Sequence, residues 1–263
     1  MKIVVPVKQV AVLDDEFELL EDGSGVEPDF VEWDLNEWDN FSVEAALRLR
    51  DAAGDGEVVV ATVGESEAEE GLLACLAKGA DRAVRVWDDA LEGADALVVA
   101  RVLAAAVGRE EPDLVLCGVQ SSDAVNSATG VALAAHLGLP RVAVVRKLDH
   151  DSASGTVTVE RELEGGLVEV VRVRCPVLLT IQTGINEPRY ATLRAIKQAR
   201  EKPLGVVGLQ ELGLGPGDVE TASGSHLRRL AHRDKGEGAQ MLEGSPAEVA
   251  GRIAEIVREQ VSG

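Results

Sequence analysis

Down to about residue 148 the chain alternates short apolar runs with amphipathic stretches, and this alternation limits the fold more than any other feature. The runs at 2–7, 58–63, 83–87, 114–117 and 142–145 are too short for core helices and rich in Val, Ile and Leu. Such continuous runs mark strands buried on both faces, as in parallel sheets. Between them, Val43, Ala46, Leu47 and Leu49 recur near helical spacing, as do Leu72, Leu73 and Leu76. Two more helices are predicted over 95–109 and through Leu133, Ala134 and Leu137. Gly54-Asp55-Gly56, Gly79, Pro112 and Gly138-Leu139-Pro140 punctuate the elements, and Asn36 or Asp39 is placed to cap the first helix. Alternating strands and helices predict an α/β fold: a doubly wound, mostly parallel sheet with helices on both faces.

After 148 the pattern changes. Residues 156–163 and 167–173 flank Glu164-Gly165-Gly166, which predicts an added β-hairpin, and 177–181 is a further apolar strand. The acidic run at 14–29 reads as an exposed hairpin or loop. Asn186-Glu187-Pro188-Arg189-Tyr190 leads into a basic, mildly amphipathic stretch at 193–202, while 203–240 is rich in Gly and mixed charge with little periodicity. A terminal helix is predicted over 246–261, capped by Ser245, with Val249, Ile253, Ile256 and Val257 on one face. The expected organisation is an α/β domain over 1–205, including the hairpin (about 154–182) and a loop at about 186–200. A long C-terminal extension follows over 206–263.

Composition narrows the function classes. At 263 residues the chain can bury a sizeable core. Its net charge of −20 argues against nucleic acid and anionic membrane surfaces. Solubility, a salty cytoplasm or a basic partner surface each accounts for that charge. No apolar stretch approaches the ~20 residues of a membrane span, and Lys2 runs straight into IVVPV without the pattern of a signal peptide. Cys75, Cys117 and Cys175 lie far apart in apolar surroundings, as expected of reduced thiols in a cytoplasmic protein. The histidines, at 136, 150, 226 and 232, show no metal-ligand spacing. Nucleophile-elbow, Walker A and G-x-G-x-x-G motifs are missing, and acidic runs such as 67–70 read as solvated helix faces. No catalytic or metal constellation is expected.

A nucleotide pocket is expected instead. In DLVLCGVQSSDAVNSATG, residues 113–130, a buried-type strand ends at Gly118. A polar loop follows, in which Ser127 can cap the next helix. An ordinary βα turn would look the same locally, but in a doubly wound sheet the first and fourth strands flank the ligand crevice. Pro6-Val7-Lys8, Val63-Gly64 and 118–129 would meet there, with 36–39 able to close over a base. Ser122, Ser127 and Thr129 offer hydroxyls and the helix offers N–H groups. Few cations are near, which favours one or two phosphates over a triphosphate with magnesium.

The segment VERELEGGLVEVVRVRCPVLLT at 159–180 resembles the signature of the electron transfer flavoprotein β subunit: a basic residue, an acidic-Gly-Gly turn, Glu169, and a Pro before apolar residues. INEPRYATL at 185–193 is similar to that family's recognition loop. VPVKQV, SVEAALRL, GADR and DLVLCG resemble the family in the right order, so the likeness covers roughly 1–205, with a weaker echo in GAQMLEGSPAEVA at 238–250.

This resemblance implies a heterodimer with a homologous α subunit that holds most of a redox-active FAD. The β subunit shields one side of that flavin and buries AMP, or a second FAD in electron-bifurcating relatives that oxidise NADH. By position, the nucleotide contacts would be Pro6; Asn36, Glu37, Trp38 and Asp39; Val63; and the loop Gly118, Val119, Gln120, Ser121, Ser122, Asp123, Asn126, Ser127, Ala128 and Thr129. Ala128 stands where the family commonly has Gln, and Ala124-Val125 where it has Asp or Asp-Thr. Residues 190–200 would dock flavoprotein dehydrogenases of the acyl-CoA type. There Leu193 would enter an apolar pocket beside Tyr190 and Ile196, within a basic rim of Arg189, Arg194 and Lys197. Electrons would pass to a quinone-linked acceptor such as an electron transfer flavoprotein–quinone oxidoreductase, and the tail would wrap the partner subunit. A nucleotide-sensing module of the same architecture is the alternative outside electron transfer.

Overall fold

The computed structural model describes residues 1–14, 16–232, 236, 238, 239 and 241–261. They divide into two compact units, Met1–Arg229 and Leu230–Gly263.

The first unit is built on a nine-stranded sheet. In chain order its elements are β1 (Lys2–Pro6), β2 (Gln9–Leu13), β3 (Val31–Leu35), α1 (Glu37–Ala53), β4 (Glu57–Val63), α2 (Glu69–Lys78) and β5 (Arg82–Val86). Then come α3 (Ala96–Gly108), β6 (Leu114–Gly118), α4 (Thr129–Leu137), β7 (Arg141–Asp151), β8 (Thr156–Glu162), β9 (Val168–Arg174) and β10 (Val177–Ile181). The unit closes with α5 (Leu193–Ala199), β11 (Leu204–Val207) and α6 (Pro216–Ala222). The spatial order is β11-β5-β4-β1-β6-β10-β7-β8-β9. From β11 to β7 every pairing is parallel, whereas β7-β8-β9 is an antiparallel meander carrying the expected hairpin.

Strand periodicity explains the two helical layers. Ile3, Val5, Val58, Val60, Leu114 and Leu116 point to one core, which Leu47 of α1 and Leu72 and Leu76 of α2 complete. Their neighbours Val4, Val59, Val115 and Cys117 point the other way, against Leu103 and Val107 of α3 and Leu133 of α4. Because adjacent strand residues face opposite sides, both faces need apolar cover, and the runs read as continuous. The fold is therefore doubly wound, as the alternation predicts.

Several local features differ from the sequence reading. Residues 9–13 and 31–35 form an antiparallel ribbon outside the main sheet, and the acidic run between them holds one bridge, Leu19 to Val26. The weakly periodic stretch after residue 202 contains β11, which extends the sheet beside β5, and α6, which packs against α3 through Val219 and Ala222. Asn36 sits at the N-cap position of α1, yet neither it nor Asp39 caps the helix with its side chain. Ser127 likewise does not cap α4, whose N-cap is Ala128. In each case the side chain is occupied in the crevice described below.

In the second unit, α7 (Pro246–Val261) begins with the expected cap: the Ser245 Oγ accepts the Glu248 N–H at 3.5 Å, and the Ser245 N–H and hydroxyl donate to Glu248 Oε2 at 2.8 and 2.7 Å. Ile253 and Val257 are 49% and 54% exposed, so the apolar stripe of α7 is open to solvent in the isolated chain. No helix among the described residues is long and apolar enough to cross a membrane.

A candidate nucleotide crevice and an exposed arm

The chain lays down β1, β4 and β5 in one direction, then returns through α3 to place β6 on the other side of β1. That reversal leaves a crevice at the carboxyl ends of β1 and β6, the place where open α/β sheets bind ligands. A cavity of about 210 Å³ opens there.

Asp39 holds the crevice's base together. It is 5% exposed; its Oδ2 accepts the Lys8 N–H at 2.8 Å and its Oδ1 the Gly118 N–H at 3.0 Å. One carboxylate thus ties the end of β1 to the end of β6. Burial pushes its pKa up to about 7, against the pull of these N–H donors. The approach is too close for any side chain at 118: a Cβ would lie 2.5 Å from Asp39 Oδ1 and 2.6 Å from Trp38 Cβ. Gly130 is similarly enforced, since its Cβ would meet Cys117 Sγ at 2.6 Å.

Asn36, almost fully buried, spends its amide on the loop after β6. Nδ2 donates to the Gln120 carbonyl at 2.9 Å and Oδ1 accepts the Ser122 N–H at 3.2 Å. Farther along, Ser127 is left-handed (φ 50°) and Ala128 right-handed (φ −104°, ψ −36°). Successive residues of opposite hand turn their N–H groups to one side, forming a concave anion nest at the start of α4. The Ser127 hydroxyl donates to Gln120 Oε1 at 3.2 Å, so no side chain blocks the first N–H groups of the helix. Lys8 brings a cation to the rim, where its Nζ pairs with Asp123 at 2.7 Å. Burial raises the Asp123 carboxyl, but Lys8 and the Ser121 hydroxyl outweigh it and hold the group below its usual range.

Of the sequence-derived contacts, Pro6, Asn36, Asp39, Val63, Gly118, Val119, Gln120, Ser121, Asn126, Ser127, Ala128 and Thr129 line this cavity. Glu37 is exposed beside it, and the Trp38 indole N–H turns to Gln182 Oε1 at 2.9 Å. Ser122 and Asp123 brace the loop from outside the lining. The sequence reading missed the wall made by Ala94, Asp95, Ala96 and Val99 at the start of α3. Asp95 was legible as a helix start, but nothing local shows that this start faces the crevice.

The arm at 186–190 is clamped to α1. The Arg189 guanidinium pairs with Glu44 at 2.8 Å and Asp51 at 3.1 Å. Arg48 donates to the Glu187 carbonyl and Asn186 to the Phe41 carbonyl, both at 3.0 Å. Glu44 is buried, which raises its carboxyl, but Arg189 and Arg48 dominate and hold it below the usual range. Arg189 is therefore an anchor, and the free part of the expected basic rim is Arg194 and Lys197, both exposed and without an ion pair among the described residues. Thr192 caps α5, accepting the Ala195 N–H at 3.2 Å. Beyond the clamp, Tyr190 is 97% and Leu193 81% exposed, with Ile196 alongside. No cluster of three or more His, Cys, Asp or Glu able to hold a metal occurs among the described residues.

Comparison with known proteins gives the family. Residues 26–212 match the family model described as the electron transfer flavoprotein domain. The chain is 49% identical over 261 residues, 98% of each protein, to an "Electron transfer flavoprotein subunit beta" from Methylophilus methylotrophus. A protein of the same description from Bradyrhizobium diazoefficiens is 37% identical over 214 residues, 81% of this chain and 84% of its own length. One from Bacillus subtilis is 32% identical over 261 residues, 99% of this chain and 98% of its own length.

Proposed function

Because the chain belongs to the electron transfer flavoprotein family, as a β subunit, we propose that it serves a heterodimer relaying electrons from acyl-CoA-dehydrogenase-type flavoproteins to a quinone-linked acceptor in the cytoplasm. An α subunit holds most of the FAD, which when bound supplies reversible uptake and release of electrons. This chain completes that flavin site, binds a mononucleotide for structural reasons, and presents the docking arm.

The observation that carries the nucleotide assignment is the open nest at α4. It offers backbone N–H groups and a helix dipole to one anionic group at the edge of the crevice. Gly118 and Gly130 keep side chains off the backbone there, and Asn36 and Asp39 line the same cavity. The other helix start in the crevice is closed, because the Asp95 carboxylate already takes the first N–H groups of α3. With one open helix terminus and, among the described residues, Lys8 as the only cation lining the cavity, a single phosphate is the best match. That supports AMP over a second FAD. The arm supports the docking role: a nearly bare Leu and Tyr on a rigidly clamped segment form a small apolar hot spot with cations beside it, suited to brief encounters.

Co-expression with the α subunit, denaturation and identification of the released nucleotides tests the reading. One FAD and one AMP per heterodimer is expected; two FAD, or no AMP, would overturn it. Leu193→Ala should slow reduction by an acyl-CoA dehydrogenase about tenfold or more with flavin content unchanged. Unaltered kinetics would remove the docking assignment.

A further inference from the structure

The wall missed by the sequence reading contains a device that the nucleotide assignment does not use. Asp95 lines the crevice, and its two oxygens are committed to different parts of the chain. Oδ1 accepts the N–H groups of Leu97 and Val98 at 3.0 and 2.9 Å, capping α3. Oδ2 accepts the N–H groups of Gly224 and Ser225 at 2.7 and 2.8 Å and the Ser225 hydroxyl at 3.3 Å. A carboxylate offers about four acceptor positions, so five donors saturate it. Burial opposes ionisation, but the donated N–H groups prevail and hold the carboxyl down at about 2.

The tail side of this contact is shaped for it. Gly224 passes so near α3 that a Cβ there would lie 3.0 Å from Leu97 Cδ1. Immediately upstream, α6 packs on α3 and Asp218 pairs with Arg101. Downstream, the chain reaches the boundary of the second unit at Leu230. The hydrogen bonds of Gly224 and Ser225, shortly before that boundary, therefore sit on the same side chain that walls the crevice.

We infer that Asp95 is a positioning residue coupling nucleotide occupancy to the anchoring of residues 224–229, the segment from which the chain departs toward its C-terminal unit. This inference rests on the crevice being a nucleotide site. A ligand packed against Ala94, Ala96 and Val99 restrains the first turn of α3. The same turn carries the carboxylate that holds Gly224 and Ser225, so filling the crevice and closing the clasp favour one arrangement. Linkage makes the effect reciprocal: releasing the clasp weakens the nucleotide by the factor by which the nucleotide tightens the clasp.

Two variants isolate the clasp. Asp95→Asn keeps an oxygen to cap α3 but turns an NH2 group toward three donors. Ser225→Pro removes two of those donors, the Ser225 N–H and hydroxyl, while leaving Asp95 and the cap untouched, and its exchange is read at Gly224. The αβ heterodimer is stripped of nucleotide and retitrated with AMP, while amide exchange is followed in a peptide spanning 222–229. In the wild type, AMP should slow exchange at Gly224 and Ser225 about five- to tenfold, the lower range of ordinary coupling. Both variants should lose that response and bind AMP more weakly by a matching factor. AMP binding without any change in exchange at 224 and 225 would overturn the coupling and leave the nucleotide assignment intact. Equal AMP affinity in wild type and both variants would also overturn it. Failure of the wild type to bind AMP at all would overturn the nucleotide reading, and this inference with it.

Discussion

Replacing Gly118 with Ala probes the centre of the crevice with a single methyl group. The added Cβ would stand 2.5 Å from Asp39 Oδ1, 2.6 Å from Trp38 Cβ and 3.2 Å from the Asp39 nitrogen. None of these neighbours is a flexible tip: Asp39 is buried and held by two backbone N–H groups, and Trp38 Cβ belongs to the first turn of α1. Relief requires α1 to move away from β6, or Asp39 to release the Gly118 N–H. Overpacking of this kind costs about 1–3 kcal/mol, and a buried donor left unpaired costs about 1–3 kcal/mol more. Since the first movement partly causes the second, a combined loss of about 3 kcal/mol is expected. For a chain of this size that lowers the melting temperature by roughly 6–12 °C. Gly251→Ala serves as a control, because nothing lies within 4 Å of its added methyl and alanine favours a helix by about 1 kcal/mol. Thermal unfolding of the heterodimer and its retained nucleotide should be compared across the three proteins. Were Gly118→Ala to melt with the wild type and keep its nucleotide, the close approach of α1 to β6 would be refuted.

Other perturbations have signed outcomes. Val125 is β-branched, 56% exposed and left-handed, at φ 51°, so Val125→Gly should raise stability by about 1 kcal/mol; denaturant unfolding that shows a loss would contradict the strain. Arg189→Ala leaves buried Glu44 with Arg48 as its remaining cation. Because Arg189 is itself about one-third exposed, a loss of about 1–2 kcal/mol is expected, with slower reduction by the dehydrogenase although Leu193 is intact; unchanged stability and kinetics would argue against the clamp. Asp39 binds its proton more tightly folded than unfolded, its pKa rising from 3.8 to about 7. Its favourable contribution is complete below the lower value and lost as pH rises through the upper one, so Asp39→Asn should flatten the fall in unfolding free energy between about pH 4 and 7. Parallel slopes would refute this.

How far the fold could be read from residues depended on burial. Val58 to Ala61 and Leu114 to Cys117 are enclosed on both faces, so their strands appear as unbroken apolar runs. β11 is a four-residue edge strand containing Gly205 with its middle exposed, and β3 alternates apolar with exposed acidic positions; neither gives such a run. The crevice loops were legible because small and polar residues follow each strand, yet the roles within them were not. Ser before a helix ordinarily caps it, but a left-handed φ turns the Ser127 hydroxyl toward Gln120 instead. Arg189 looked like a surface cation because its partners, Glu44 and Asp51, lie far back in the chain. Asp95 and Ser225 are likewise 130 residues apart, and no local spacing rule reaches that distance.

The position of β10 between β6 and β7 means that the sheet cannot be assembled in the order of synthesis. When β6 leaves the ribosome its outer edge has no neighbour, and it keeps none until the meander has been translated and 177–181 slots in. An apolar, unpaired edge is an invitation to aggregate. A chain stalled or truncated between residues 118 and 177 is therefore the form of this protein most in need of a chaperone.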